Sequence, residues 1–273
     1  MSQHTNRSFL YGDGLFETMR CLNGRIAFLA EHFERLSHGM QTLGMLAPQD
    51  FSPKWMEKQI LEEIDKNAMH ANAPNWRVRM TVFRAEGGLY TPQHNQVEWT
   101  IACSPLASSA YQLNEKGLLV GKYKEVRLSA DILSPLKTTS ALPYVMAGLY
   151  RKTEHPEWDD CLLINSEGRF VEAIAANFFL RIGERLYTPA LAEGPVSGVL
   201  RRVLMDWCLQ HHIEVEECAL TATHFQEADE IWLTNAIQGI RWVQELSFVP
   251  GRVYHRDWAD RVVSGLNGLF YSI

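Results

Sequence analysis

The 273-residue sequence predicts a two-domain protein of mixed α/β and α+β class. Two observations point there. Stretches of helical and of β-like patterning alternate along the chain. A small, polar segment at 104–116, with Pro105, Ser108 and Ser109 and with Gly117 just after it, interrupts them and has the composition of a domain linker.

Each element has its own signal. Residues 31–45 place Phe33, Leu36, Met40 and Leu43 at helical spacing, and residues 54–68 do the same with Trp55, Ile60 and Ile64. The pattern turns β-like over 76–83 and again over 97–103. Glu86-Gly87-Gly88 and Pro92 lie between, so the pair reads as a hairpin with a long loop. After the linker, residues 118–128 read as a strand and 143–153 as a helix. Residues 161–164 and 169–173 flank Asn165-Ser166-Glu167-Gly168 as a second hairpin. Residues 197–211 read as a helix with Ser197 as its N-cap, and 213–217 and 230–234 as further strands.

Composition narrows the function. Apolar content of 46% and charged content of 21% are ordinary for a globular chain. The formal net charge of −6 argues against a general nucleic-acid binder, since no basic excess offsets phosphate charge. Cys21, Cys103, Cys161, Cys208 and Cys218 are odd in number, dispersed and never in a C-x-x-C pair. They read as reduced, mostly buried thiols of a cytoplasmic protein, with no metal site. The N-terminal MSQHTNRSF lacks an apolar signal-peptide region, and no apolar run reaches membrane-spanning length. A soluble, intracellular protein without a membrane association is expected.

Several residues could carry chemistry. Lys137 lies in Ser134-Pro135-Leu136-Lys137-Thr138-Thr139-Ser140, small and turn-like surroundings ahead of an apolar helix. Taken alone it is most simply a solvated surface lysine. A desolvated amine there could instead join an aldehyde cofactor. Glu172 sits between Val171 and Ala173-Ile174-Ala175-Ala176, where a buried carboxylate needs a partner; strand alternation also allows it to face solvent. Gly194-Pro195-Val196-Ser197-Gly198-Val199-Leu200-Arg201 runs from a loop into a helix start, which suits a phosphate as well as it suits an ordinary cap. Thr234-Asn235-Ala236 ends an apolar strand with small polar groups. Arg35 is either a surface helix residue or a bidentate phosphate clamp.

The order of these motifs carries a resemblance. Gly12-Asp13-Gly14-Leu15-Phe16-Glu17-Thr18, His32-Phe33-Glu34-Arg35-Leu36, Leu136-Lys137-Thr138, Glu172 with Asn177-Phe178-Phe179, Gly198-Val199-Leu200-Arg201 and Thr234-Asn235-Ala236 follow one another as in the class IV aminotransferase family. The resemblance spans nearly the whole chain, from Tyr11 to about Val243. It implies a fold-type IV enzyme dependent on pyridoxal 5'-phosphate, with a smaller α+β domain at 1–106 and a larger α/β domain at 107–273. The cofactor would lie in the cleft, and a homodimer would complete the site. It implies that Lys137 holds the cofactor as a Schiff base and that Glu172 contacts the pyridine nitrogen. Arg35, the backbone of Gly198 and Val199, and Thr234 with Asn235 would bind the phosphate. Two departures stand out: the usual strand before the G-D-G motif looks missing or shortened, and Ser140 stands where the family commonly has Asn.

Within the family, the sequence most resembles 4-amino-4-deoxychorismate lyases, which release 4-aminobenzoate and pyruvate for folate synthesis. Branched-chain aminotransferases usually carry Tyr five residues after the lysine, where this chain has Leu142. D-amino acid aminotransferases usually carry an R-x-H carboxylate trap, absent from Arg84-Ala85-Glu86-Gly87-Gly88-Leu89-Tyr90. That loop is similar to the lyases' glycine-rich one, though shorter by one residue and lacking a second arginine. Phe16, Arg84 and Tyr90 are the expected substrate contacts. An amino acid aminotransferase is the alternative. A non-catalytic module is disfavoured because Lys137 and Glu172 are both present.

Overall fold

The computed structural model describes residues 5–68 and 73–270. The first four residues of the MSQHTNRSF segment lie outside the described residues. The chain divides into two units, one formed by Met1–Ser109 with Leu136–Ser140, the other by Ala110–Pro135 with Ala141–Ile273.

The first unit contains, in chain order, α1 (Arg7–Tyr11), β1 (Gly14–Leu22), β2 (Arg25–Ile26), α2 (Leu29–Thr42), α3 (Pro53–Ala68), β3 (Asn75–Arg84) and β4 (Val97–Pro105). Its four strands form an antiparallel sheet in the order β2-β1-β3-β4. The expected helices and the β3–β4 hairpin are all present, within a few residues of their expected limits. Leu36 and Met40 of α2, and Met56, Ile60 and Ile64 of α3, recur every four residues and are buried with Leu15, Met19, Val78 and Met80 of the sheet. Burying such side chains contributes about 1.5–3 kcal/mol each. Gly39 lets α2 lie close on β1, since a Cβ there would come within 2.8 Å of Leu15 Cδ1.

Three features of this unit were not legible beforehand. Strand β1 shows no clean alternation because it is buried along most of its length, and it includes the charged Glu17 and Arg20. Among the described residues, α1 stands ahead of the G-D-G motif, capped by the Asn6 side chain, which accepts from Phe9 N–H at 3.1 Å. It ends at Gly12 in the left-handed region, a conformation that favours glycine. The third feature is the lysine loop, which by chain position would fall in the second domain. Phe16 N–H donates to Lys137 O and Thr139 N–H to Gly14 O, each at 2.9 Å. These bonds stitch Leu136–Ser140 to β1 and make it part of the first unit. The expected linker is also shorter than its composition suggested, because β4 runs through Pro105 and the units part between Ser109 and Ala110.

The second unit contains β5 (Leu118–Leu128), α4 (Leu142–Glu154), β6 (Asp160–Asn165), β7 (Phe170–Ala173), β8 (Asn177–Ile182), β9 (Arg185–Pro189), α5 (Val199–Gln210), β10 (Glu214–Cys218), α6 (Ala222–Glu227), β11 (Glu230–Asn235), β12 (Gly239–Leu246) and α7 (Asp257–Leu269). Eight strands form one mixed sheet in the order β10-β9-β8-β11-β12-β5-β6-β7. Phe178, Leu180, Ile231, Leu233, Phe170 and Phe225 are buried in its main core. The β6–β7 hairpin matches expectation, whereas β8 was hidden in the continuous apolar run that follows Glu172. One expectation is corrected: Ser197 is not the N-cap of α5. Its N–H is drawn to Pro135 O at 2.9 Å, and the helix begins two residues later with Gly198 in the cap position. The fold is that of the fold-type IV enzymes, as expected.

Candidate active site

In the first unit, Lys137 and Phe16 come together. The lysine is half-buried, and its Nζ lies 4.5 Å from the Phe16 ring centre. Its backbone is held on both sides, since Thr139 Oγ1 also donates to Gly12 O at 3.0 Å. The loop is therefore fixed while the amine end projects over an aromatic face. Phe16 carries a second cation: the Arg79 guanidinium carbon stands 3.6 Å from the ring centre. Burial, then the neighbouring Arg77 charge, lowers the pKa of Arg79 from its ordinary value. Register explains the meeting. Phe16 and Thr18 of β1 lie opposite Thr81 and Arg79 of β3, so alternate residues of both strands share one face.

Arg35 lies against Glu17. Its Nε donates to Oε1 at 2.8 Å and Nη2 to Oε2 at 2.5 Å, a two-pronged pair between α2 and β1. His32 Nδ1 is 2.6 Å from the same carboxylate. Burial alone would raise the Glu17 carboxyl, but the Arg35 charge and the His32 hydrogen bond outweigh it and bring its pKa down to about 2. Burial lowers His32, so a neutral ring with its hydrogen on Nδ1 donates to Glu17. Neither Glu17 nor His32 was singled out from the sequence. The two motifs place Glu17 on a strand and His32 on the next helix, and only the packing of α2 on β1 brings the side chains together.

Arg84 and Tyr90 stand apart from this group. The Arg84 guanidinium is spent internally: Nε on Asp13 at 3.0 Å, Nη1 on Asn95 Oδ1 at 2.6 Å, and Nη2 on Leu43 O at 2.7 Å. With every nitrogen engaged and the residue buried, Arg84 ties loops together, so the expected substrate contact is corrected to a structural one. Arg7 shares Asp13 and caps the carbonyls of Gly87 and Leu89. Tyr90 is 89% exposed on that loop and lies against the Tyr11 ring.

In the second unit, Glu172 is the centre of a small polar cluster, although it is only 3% exposed. Strand β7 is buried on both faces, so the alternation that would have aimed Glu172 at solvent does not apply. Tyr144 Oη donates to Oε1 at 2.5 Å, Val196 N–H to Oε2 at 3.1 Å, and the Asn177 amide makes a longer contact with Oε2 at 3.4 Å. Asn177 also donates to Val196 O at 2.9 Å. The carboxylate is thus tied to the loop that leads into α5. Gly198 completes the cluster: a Cβ there would come within 1.9 Å of Asn177 Oδ1, so only glycine fits.

Thr234 lies directly opposite Asn177 across the β11–β8 pair. Its Oγ1 is buried without a hydrogen-bond partner among the described residues. No side chain caps the start of α5 at Gly198 and Val199. An orphaned buried hydroxyl and a helix start without a side-chain cap each suit a phosphate, and a buried carboxylate fits a protonated pyridine nitrogen. These residues therefore fit pyridoxal phosphate. Asn235 takes a different part: its Oδ1 accepts from Ile237 and Gln238 N–H groups at 3.0 and 2.8 Å, shaping the turn after β11. Among the described residues, no cluster of three metal-binding side chains occurs. No described helix is long and apolar enough to cross a membrane.

The family model named amino-transferase class IV matches residues 14–246. A Methanocaldococcus jannaschii protein, provisionally named a branched-chain-amino-acid aminotransferase, is 27% identical over 98% of this chain and 89% of its own. An aminodeoxychorismate lyase of Vibrio harveyi is 26% identical over 91% of this chain and 88% of its own. Among solved structures, one from Legionella pneumophila, provisionally assigned as a 4-amino-4-deoxychorismate lyase, superposes with a TM-score of 0.83 at 27% identity. It covers 97% of this chain and 94% of that one. The chain belongs to the class IV aminotransferase family, and it is a pyridoxal-phosphate-dependent enzyme.

Proposed function

We propose that the protein is a 4-amino-4-deoxychorismate lyase, forming 4-aminobenzoate and pyruvate. The observation that carries this reading is Leu142, five residues after Lys137, where branched-chain aminotransferases usually carry Tyr. The absence of an R-x-H trap in the loop from Arg84 to Tyr90 supports it against a D-amino acid enzyme. The Vibrio harveyi lyase supports it as well. The alternative, an amino acid aminotransferase, is favoured by the Methanocaldococcus jannaschii relative at similar identity.

Pyridoxal phosphate supplies an aldehyde that joins a primary amine and a pyridinium ring that takes up an electron pair. In the proposed assignment Lys137 holds the cofactor between turnovers. Displaced by substrate, its amine removes the proton from the carbon bearing the substrate nitrogen. Glu172 would keep the ring nitrogen of the bound cofactor protonated. Thr234 and the N–H groups at Gly198 and Val199 would bind phosphate, with Asn235 shaping the turn after β11, and Arg35, braced by Glu17, would add a guanidinium to the phosphate. Arg79, beside Phe16 and Lys137, offers a cation to a substrate carboxylate. In a lyase, the C–O bond at the neighbouring ring carbon would then break, the proton taken by Lys137 would pass to the departing enolpyruvyl group to give pyruvate, and the ring would aromatise. In a transaminase, the Lys137 amine would instead give that proton back, with the bound cofactor supplying the acceptor. We extend the proposal to a homodimer.

The test is a product assay with 4-amino-4-deoxychorismate alongside L- and D-amino acids paired with 2-oxoglutarate. We expect 4-aminobenzoate and pyruvate, and borohydride reduction should place the cofactor mass on Lys137. Turnover of the amino acids alone would overturn the lyase reading. Cofactor on another lysine would overturn the site assignment.

A further inference from the structure

We infer that Tyr144 is a positioning residue of this active site: its hydroxyl, donating to Oε1 of Glu172, keeps that carboxylate charged and fixed. The inference rests on the reading of Glu172 as the partner of the pyridine nitrogen.

The geometry starts with helix phase. Leu142, Val145, Met146 and Leu149 form the exposed side of α4, while Tyr144 and Ala147 turn inward against Tyr123, Cys161, Leu163 and Val171. The Tyr144 ring is thereby clamped by apolar neighbours. Its hydroxyl emerges at β7, 2.5 Å from Glu172 Oε1, within the range of an O–H···O bond to a charged acceptor. Val196 N–H and the Asn177 amide approach the other oxygen, so Tyr144 restrains the side of the carboxylate that those groups do not. Proton placement follows. Burial first, then the charge and hydrogen bond of Glu172, push the Tyr144 phenol far above its ordinary value. Tyr144 therefore stays protonated, and a donor to Glu172 Oε1, throughout the working range.

A buried carboxylate with fewer donors takes up a proton more readily. Neutralised or loosened, Glu172 would no longer hold the proton on the ring nitrogen. If Tyr144 were only a core filler, Phe would serve equally, since the ring contacts do not involve the hydroxyl.

The experiment compares Tyr144→Phe, Glu172→Gln and the parent, each loaded with cofactor. The readouts are the visible absorption band, cofactor affinity, the turnover rate with a saturating amine substrate, and thermal midpoint. Loss of a hydrogen bond to a charged group predicts a rate about ten- to a hundredfold lower for Tyr144→Phe. KM and cofactor affinity should stay within about twofold. The absorption band should move in the same direction as in Glu172→Gln, but less far. A normal band and rate in Tyr144→Phe, with only a lowered thermal midpoint, would overturn the inference while leaving the role of Glu172 intact. A normal band in Glu172→Gln would overturn both, and shows that the reading of Glu172 failed first.

Discussion

At the scale of single residues, the site depends on buried charges that are each given partners. Glu17 shows this most clearly. Fully buried, it holds its charge because Arg35 and His32 offset the loss of water, and its pKa falls from 4.5 to about 2. A carboxylate depressed on folding stabilises the native state above the unfolded value, and that contribution disappears as pH falls through the folded value. The window is therefore about pH 4.5 down to about pH 2, and the contribution is on the order of 3 kcal/mol. Urea midpoints measured across that window should fall more steeply for the parent than for Glu17→Gln. Parallel slopes would refute a depressed Glu17. None of this could be read from the spacing of Glu17 and His32, because a strand and a helix fix periodicity but not which side chains meet.

Among elements, the path from β7 through β8 into α5 deserves its own test. Glu172, Asn177, Val196 and Gly198 are joined by hydrogen bonds and by one contact that admits no side chain. Gly198→Ala puts a methyl group 1.9 Å from Asn177 Oδ1, so Asn177 must move or α5 must shift. The methyl group would disturb the phosphate-binding backbone and the Glu172 contacts together. We expect cofactor affinity to drop at least tenfold and the thermal midpoint to fall by several degrees. Unchanged cofactor affinity, by equilibrium dialysis, would show that the α5 start does not bind the phosphate. The sequence made α5 and its glycine visible but misassigned the cap to Ser197. Residue preference favours Ser at such a position; the pull of Pro135 O on the Ser197 backbone decided otherwise.

At the scale of the whole molecule, α4 leaves Leu142, Val145, Met146 and Leu149 exposed at spacings of three and four, at 67%, 52%, 43% and 49%. A continuous apolar stripe of this kind is costly in water and marks a surface that binds another protein surface. It supports the proposed homodimer. Leu149→Glu should convert a dimer to monomer by light scattering without loss of helical circular dichroism. A parent that runs as a monomer, or a dimer untouched by the substitution, would refute that assignment. The sequence by itself determined the class of fold, most helices and strands, the family and the residues that define it. These depend on local periodicity and on ordered motifs, which survive in one dimension. Tertiary structure decided the rest. It placed the lysine loop on β1, gave Arg84 to Asp13 and not to substrate, buried Glu172 against Tyr144, and stacked Arg79 and Lys137 on one Phe16 ring. Each of these joins residues far apart in the chain, or turns on which face of a doubly buried strand a side chain takes, and sequence spacing carries neither.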